Sequence, residues 1–283
     1  MDKPDFRVLA RQLSIVENEA NGYETILNNL VQFQPPTLVV GITGPPGAGK
    51  STLIDAMVNQ LVKEGKTIGI LAVDPSSPFT SGSLLGDRLR MTGHFNNDKV
   101  FIRSISSRGA LGGLSAKTIE MTELMKAAGF DWVFIETVGV GQNEVEVASV
   151  ADQTLVVLVP ESGDEIQALK SGLMEVATVF AVNKSDRDGA EQFKTTLQKM
   201  THTPVLAVTA AQETGIASLL EVLRKNDQQQ TLGRKIDLLA NRAYRLIQQK
   251  RMKDLNQDEL KKTIALQLEN EQFNLFKLVA DFA

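Results

Sequence analysis

Residues 37–51 read TLVVGITGPPGAGKS, and the rest of the 283-residue chain is organised around this stretch. It contains an apolar run rich in β-branched residues, then a glycine-rich turn, then a lysine followed by a hydroxyl residue. Gly44, Gly49, Lys50 and Ser51 match the pattern G-x-x-x-x-G-K-[ST] of a phosphate-binding P-loop. The apolar run suits a buried strand and the residues after the loop have helical spacing, a context that an ordinary glycine-rich turn would lack.

The predicted geometry of this loop indicates its chemistry. Backbone N–H groups of residues 47–50 would point inward at a helix N-terminus and bind an anion. Lys50 would reach the β- and γ-phosphate oxygens, and the hydroxyl of Ser51 would ligate Mg²⁺. The residues of the loop that we expect to contact a nucleotide are Gly44, Pro45, Pro46, Gly47, Ala48, Gly49, Lys50, Ser51 and Thr52.

The composition excludes several classes of function. A net charge of −4 gives no basic field for nucleic acid or for an anionic membrane, so a small ligand is expected to carry the phosphate. The chain has no cysteine, which excludes disulfides, thiolate metal sites and a cysteine nucleophile. The N-terminus has no apolar signal core and no run approaches the length of a membrane span. We therefore expect a cytoplasmic protein with no membrane partner.

The order of apolar runs and helical segments predicts an α/β fold. Strands are expected at residues 68–73, 100–105, 130–135, 155–159, 179–182 and 206–208. A strand–loop–helix–strand order implies right-handed crossovers and a P-loop NTPase fold with a mostly parallel central sheet flanked by helices. Two short N-terminal helices in residues 1–34 would precede the nucleotide-binding domain at 35–228, and two helices would form an arm at 229–283.

Acidic residues stand where predicted strands end, which is where open α/β sheets bind their ligands. Asp74 follows one strand and opens a long loop that also carries Asp87, and this loop is a candidate switch. A turn-forming role before proline is the alternative for Asp74. Glu136 closes another apolar strand and can hold a Mg²⁺-bound water, while the N–H of Gly139 can meet a γ-phosphate.

A third acidic loop follows the strand at residues 155–159. Asp164 and Lys170 could swing toward the nucleotide, and Gln167 lies between them. A capped helix with solvated charges explains these residues equally well, so both interpretations stay open.

The stretch VFAVNKSD at residues 179–186 indicates which base is bound. Both carboxylate oxygens of Asp186 can accept hydrogen bonds from guanine N1–H and its 2-amino group, and adenine has no such pair of donors. A buried carboxylate left unpaired would reject the wrong base. Lys184 can cover one face of the base, Asn183 can brace the neighbouring loops, and a backbone N–H of Thr209, Ala210 or Ala211 can reach guanine O6.

With these motifs in place, the chain resembles the MeaB/ArgK/MMAA family of P-loop GTPases over most of its length. The resemblance rests on the strings GPPGAGKST, LAVDPSSP, GSLLGDRLRMT, RGALGGLS, FIETVGVGQNE, SGDEIQALK and VNKSD, with LARQLSIVENE near the N-terminus. It implies a G-protein chaperone of an adenosylcobalamin-dependent acyl-CoA mutase, chiefly methylmalonyl-CoA mutase. It also implies a homodimer joined by a C-terminal arm, GTP or GDP with Mg²⁺ as ligands, and no direct binding of cobalamin.

The resemblance also implies roles for individual residues. The residues implied in catalysis are Lys50, Asp74, Glu136 and Lys170, and those implied around the metal are Ser51, Asp74, Asp87 and Glu136. The implied switch residues are Gly139, Gln142, Asp164, Gln167 and Lys170. Two departures matter: Ala168 stands where a glycine is expected, and Pro45-Pro46 replace the early lysine of related dimeric ATPases.

Two other functions stay open at this stage. A nickel-insertion GTPase would need a histidine or cysteine metal site, which the isolated His94 and His202 cannot supply. A nucleotide-dependent kinase would need an acceptor pocket and a general base, and no residue indicates either.

Overall fold

The structure is a computed structural model. It describes residues 5–31, 37–74, 93–94, 97–106, 116–137, 143–161, 172–229, 231–252, 255, 257–270 and 273–280. Within these ranges, the side chains of residues 74, 106, 116, 143–145 and 257–258 are not described.

Seven parallel strands form one sheet, in the order β3-β2-β4-β1-β5-β6-β7. Their bounds are β1 Leu38–Thr43, β2 Ile68–Asp74, β3 Val100–Ser106, β4 Trp132–Glu136, β5 Gln153–Leu158, β6 Val179–Val182 and β7 Val205–Ala207. This arrangement confirms the predicted fold class. The P-loop strand β1 lies in the middle, between β4 and β5, so loops from several strands can meet around the end of β1.

Helices connect and cover the strands. Those of the first part of the chain are α1 Phe6–Glu17, α2 Tyr23–Asn28, α3 Lys50–Lys63, α4 Ala116–Ala127, α5 Asn143–Val150 and α6 Leu173–Val176. Those that follow are α7 Ala190–Met200, α8 Ile216–Gln228, α9 Leu232–Arg251, α10 Gln257–Glu269 and α11 Leu275–Ala280.

The two faces of β1 pack against different helices. Leu38, Val40 and Ile42 belong to a core cluster that also contains buried residues of α3 and α8. Gly41 lies on the other face, where a Cβ would come within 2.4 Å of Val147 Cγ2 in α5. Alternating side chains explain the two-sided burial, and the missing side chain at Gly41 lets α5 approach the strand closely.

The N-terminal helices are attached to the β3 side of the sheet. Arg103 on β3 contacts Glu17 at the end of α1 with 2.5 Å between Nη2 and Oε2. The ring of Phe6 lies 5.4 Å from that of Phe101 and 5.9 Å from that of Phe130, measured between ring centroids. Phe101 and Arg103 are two residues apart and therefore lie on the same face of β3, so these contacts place α1 over that face of the sheet.

The chain divides into two compact units, Met1–Arg242 and Ala243–Ala283. The expectation of two helices beyond residue 229 was wrong, because the described residues there form three, α9, α10 and α11. Asn274 explains the additional start, since its Oδ1 accepts hydrogen bonds from the backbone N–H groups of Phe276 and Lys277 and caps α11. The domain boundaries proposed from the sequence remain predictions.

Among the described residues, no helix combines the length and apolar character needed to cross a membrane.

Candidate functional site

The P-loop connects the end of β1 to the start of α3. Gly44 and Gly49 have φ angles of 137° and 86°, a region that favours glycine. A Cβ on Gly44 would lie 2.1 Å from the carbonyl oxygen of Val157 in β5. The backbone conformation therefore favours glycine at both positions, and close packing against β5 also requires it at Gly44.

Lys50 and Ser51, the first residues of α3, are both buried. The Lys50 ammonium donates to the carbonyl oxygens of Gly44 and Pro45, at 2.7 and 3.1 Å. The lysine thus folds over the loop on which a phosphate would bind. The orphan N–H groups and the positive dipole end of α3 add to the field that favours an anion there.

The side of the loop that faces outward is accessible. Pro46, Gly47 and Thr52 are exposed, and a Cβ placed on Gly47 would meet nothing within 4 Å. The predicted nucleotide-binding residues from Gly44 to Thr52 therefore form a loop that is accessible on one side and packed against β5 on the other.

Ser51 and Glu136 are 85 residues apart in the sequence and in contact in the structure. The hydroxyl of Ser51 donates to Glu136 Oε1 at 2.6 Å, and both side chains are buried. The pairing of β1 with β4, with Ile42 opposite Glu136, delivers the carboxylate to the start of α3. A hydroxyl oxygen next to a carboxylate oxygen is a donor set that suits Mg²⁺, so these two residues fit the predicted metal.

The other predicted metal and switch residues are described only in part or not at all. Asp74 ends β2 opposite Ser106 of β3, and its side chain is not described. The predicted residues that lie outside the described part of the chain are Asp87, Gly139, Gln142, Asp164, Gln167 and Lys170. Ala168, the departure noted in the sequence, also lies outside it.

Asn183 joins the P-loop to the loop after β7. Its Nδ2 donates to the carbonyl oxygen of Ala48 at 2.9 Å, and its Oδ1 accepts from the backbone N–H of Ala210 at 3.1 Å. The residue is 2% exposed. A Cβ on Gly49 would come within 2.5 Å of Asn183 Nδ2, so the P-loop glycine makes room for this amide. The three loops of the predicted site are thereby held in contact.

Lys184 and Ser185 continue this connection. Lys184 has a φ of 55°, which is strained for a lysine, and its Nζ donates to the carbonyl oxygen of Gly47 at 2.9 Å. The Ser185 backbone N–H donates to the carbonyl oxygen of Val208 at 3.1 Å, and its hydroxyl lies 3.0 Å from that of Thr209. Asp186 follows with an exposed side chain, at the rim of the same group of loops.

Two contributors were missed from the sequence. Ser185 occupies the variable position of the N-K-x-D motif, and its hydroxyl contacts that of Thr209. In the sequence, only the presence of a hydroxyl residue at both positions could have indicated this contact. Arg187 forms an ion pair with Glu161, which lies three residues beyond the end of β5. The hydrogen bond from Arg187 lowers the pKa of Glu161, so this exposed carboxylate is charged at neutral pH.

The sequence profile of the family described as methylmalonyl Co-A mutase-associated GTPase MeaB matches residues 9–267. Among similar proteins, a GTPase of Pyrococcus horikoshii is 47% identical over 191 residues, which cover 68% of this chain and 60% of the relative. GTPase ArgK of Escherichia coli is 43% identical over 184 residues, covering 64% of this chain and 56% of ArgK. The mitochondrial methylmalonic aciduria type A homolog of Mus musculus is 44% identical over 157 residues, covering 56% of this chain and 38% of that protein.

The matched segments therefore span about three fifths of the first of these relatives and less of the other two. Among solved structures, the crystal structure named as an LAO/AO transport system kinase has a TM-score of 0.63. It covers 99% of this chain and 93% of that chain at 23% identity, a likeness that supports the fold.

Proposed function

This chain belongs to the family of methylmalonyl Co-A mutase-associated GTPases MeaB, and on that premise we propose that it binds GTP with Mg²⁺ and hydrolyses it to GDP and phosphate. The observation that carries the proposal is the position of Asn183. Its amide contacts both Ala48 of the P-loop and Ala210 after β7, which assembles a phosphate subsite and a base subsite from three separate loops. This arrangement supports one nucleotide bound across them.

The phosphate subsite consists of the P-loop backbone and Lys50. In the proposed complex the ammonium of Lys50 exchanges its carbonyl acceptors, Gly44 and Pro45, for phosphate oxygens. A charged acceptor makes the stronger hydrogen bond, so the exchange favours the bound state.

Ser51 and Glu136 are the residues that would hold Mg²⁺, since their oxygens meet at 2.6 Å beside the start of α3. When bound, Mg²⁺ supplies positive charge to the β- and γ-phosphate oxygens. We infer that the contact between the two side chains keeps Glu136 beside the phosphate subsite and orients Ser51 toward it.

The base subsite is proposed at the rim, around Asp186. The exposed carboxylate has two acceptor oxygens and no donor, a pattern that complements the N1–H and 2-amino groups of guanine. Asn183, Lys184, Thr209, Ala210 and Ala211 would hold the remaining edge and face of the base.

We further propose that the partner is an adenosylcobalamin-dependent acyl-CoA mutase of the methylmalonyl-CoA type, and that nucleotide state gates cofactor delivery to it. The family description, which names mutase association, supports this choice. Among the described residues, no group of three or more histidine, cysteine, aspartate or glutamate side chains could hold a metal ion. That finding gives no support to the nickel-insertion alternative, and no feature of the described site favours a kinase.

A homodimer formed through residues 229–283 is also proposed. The support is a set of apolar side chains in the second unit that are more than half exposed: Tyr244, Ile247, Met252, Leu266, Leu268, Leu275, Phe276 and Val279. Apolar surface on this scale is typical of protein interfaces.

Single-turnover GTP hydrolysis, measured with and without purified mutase, tests the proposed function. Slow hydrolysis by the chain alone and acceleration by the mutase are expected, because a partner that completes or orders a GTPase site can raise the rate by roughly 10³ to 10⁵. Ser51→Ala, which removes a proposed Mg²⁺ ligand, should abolish hydrolysis in both conditions. A wild-type rate that does not change across a range of mutase concentrations would contradict the coupling, and comparable affinities for ATP and GTP would contradict the choice of nucleotide.

A further inference from the structure

Glu213 has a backbone conformation that is unusual for its residue type. It directly follows the 3₁₀ turn Ala210–Gln212 and has φ 53° and ψ 22°, in the left-handed region. Its N–H donates to the carbonyl oxygen of Ala210 at 3.1 Å and closes the turn. Glycine would occupy this position without a steric penalty, so a glutamate here has to be stabilised by contacts of its side chain.

Those contacts come from α3. Oε1 of Glu213 accepts a hydrogen bond from Asn59 Nδ2 at 2.9 Å, and Oε2 accepts one from Lys63 Nζ at 3.1 Å. Asn59 and Lys63 are four residues apart and therefore lie on the same face of the helix. The hydrogen bonds from Lys63 and then Asn59 lower the pKa of Glu213, so its carboxylate is charged at neutral pH.

Glu213 connects α3 to the 3₁₀ turn Ala210–Gln212, and these two elements belong to the phosphate subsite and the base subsite of the proposed site. The helix α3 begins with Lys50 and Ser51 on the phosphate side. The 3₁₀ turn Ala210–Gln212 lies on the base side, where the N–H of Ala210 donates to Asn183. Thr209 and Thr214 exchange backbone hydrogen bonds at 3.1 and 3.2 Å and close the loop around the turn.

We propose that Glu213 is a positioning residue that sets how well the site discriminates the 6-oxygen of guanine, because it holds the 3₁₀ turn Ala210–Gln212 against α3. The proposal rests on the proposed function, since it concerns the base of the same nucleotide. The turn is fixed on one side by Asn183 and on the other by Glu213, so releasing Glu213 lets the amides of the turn move relative to the base. In the proposed complex Asp186 pairs with the N1–H and the 2-amino group of the base, whereas the turn pairs with the 6-oxygen, so the two contacts can be varied separately.

A surface ion pair with no role in binding is the alternative explanation of this contact. Both partners are partly exposed, with 64% of the Lys63 side chain and 43% of the Glu213 side chain accessible, and exposed pairs often contribute little. The chain offers a matched control in the pair Glu221–Lys225 on α8, which has an Oε1–Nζ distance of 2.8 Å and side chains that are 63% and 64% exposed.

The test compares equilibrium affinities for three nucleotides in the full chain. GDP, 6-thio-GDP and IDP separate the contribution of the 6-oxygen from that of the 2-amino group. In 6-thio-GDP sulfur replaces only the 6-oxygen, and in IDP only the 2-amino group is missing. Glu213→Gly, which keeps the turn conformation accessible, and Asn59→Ala, which acts from α3, are each expected to reduce the preference for GDP over 6-thio-GDP about fivefold, the value of one displaced hydrogen bond. The preference for GDP over IDP should not change, and Glu221→Ala should behave as the wild type.

An unchanged ratio of GDP to 6-thio-GDP affinities in both Glu213→Gly and Asn59→Ala would overturn the proposal. So would an equal loss in the IDP comparison, because that result would indicate general loosening of the pocket. The proposed function fails separately, in the wild type, if GDP is not preferred to ADP.

Discussion

Asp186 is the residue on which the proposed preference for guanine depends. Its exposed carboxylate presents only acceptors, whereas an amide presents one acceptor and one donor. Asp186→Asn should move the preference from guanine toward xanthine nucleotides, since xanthine has a carbonyl where guanine has its 2-amino group. Two lost charge-assisted hydrogen bonds would weaken GDP binding by roughly 3 kcal/mol, more than a hundredfold.

Calorimetric titration of GDP and XDP into both proteins measures this shift. Asp188→Asn, two residues further along and also exposed, is the matched control and should keep the wild-type order of affinities. Retained preference for GDP in Asp186→Asn would contradict this role for Asp186.

Asp227 near the end of α8 makes stability depend on pH. Burial, and then the charge of Asp152, raise the pKa of Asp227 above its ordinary value of 3.8, and Lys235 offsets part of the effect. The folded state therefore binds this proton more tightly than the unfolded state does. Its contribution to stability is present at low pH and is lost as the pH rises through the raised folded value.

Asp227→Asn should accordingly raise the melting temperature at pH 7, where the wild-type carboxylate is charged and partly buried. The difference from the wild type should shrink as the pH falls toward 4. Thermal unfolding at several pH values measures it, with Asp188→Asn as an exposed control. An Asp227→Asn variant that is less stable than the wild type at pH 7 would contradict the assignment.

At the scale of elements, Arg242 connects the first part of α9 to α4 and α5 within the first unit. Its guanidinium donates to the carbonyl oxygens of Ser149 and Val150 at the end of α5, at 3.2 and 2.6 Å. It also contacts Glu123 of α4 at 3.2 Å and Asp152 at 3.1 Å. One buried cation thus satisfies the last carbonyls of α5 and pairs with two carboxylates.

Arg242→Met should lower the free energy of unfolding by about 3 kcal/mol, because removing one member of a buried ion pair leaves its partners uncompensated. Arg234→Met on the exposed side of α9 is the control and should change stability by less than about 0.5 kcal/mol. Denaturant unfolding measures both free energies of unfolding. Equal values for the two variants would show that the contacts of Arg242 do not contribute to stability.

At the scale of the whole molecule, the proposed dimerisation arm at residues 229–283 includes the second unit, Ala243–Ala283. Phe276 and Tyr244 are 83% and 69% exposed, the largest values among its aromatic side chains in the described residues. A chain ending at Asn226 should be monomeric by light scattering, because it lacks the whole arm. A truncated chain that remained dimeric would place the interface elsewhere.

A point substitution tests the same surface in the full chain. Phe276→Glu should raise the dimer dissociation constant at least tenfold, since a charge would have to be buried where an aromatic ring now lies. Met200→Glu, on α7 of the first unit and 41% exposed, is the matched control and should leave the dimer intact.

The sequence by itself was sufficient for the family and the fold class. The P-loop and the N-K-x-D motif each depend on backbone geometry within a few residues, such as the positive φ of Gly44 and Gly49. Such local requirements determine the residue types of a short continuous segment, so the motif can be recognised without the tertiary structure. The alternation of strands and helices likewise predicted a parallel sheet, which the structure confirms.

Only the tertiary structure decided which distant residues meet. Ser51 and Glu136 are 85 residues apart, Asn183 and Ala48 are 135 apart, and Asn59 and Glu213 are 154 apart. The number of helices in the arm was also predicted incorrectly, because apolar spacing does not reveal a cap such as that of Asn274. Contacts of this kind depend on the order of strands in the sheet, with β1 between β4 and β5, and on the helices that cover each face. That order is set by how the whole set of apolar faces is buried together, which no single stretch of sequence encodes.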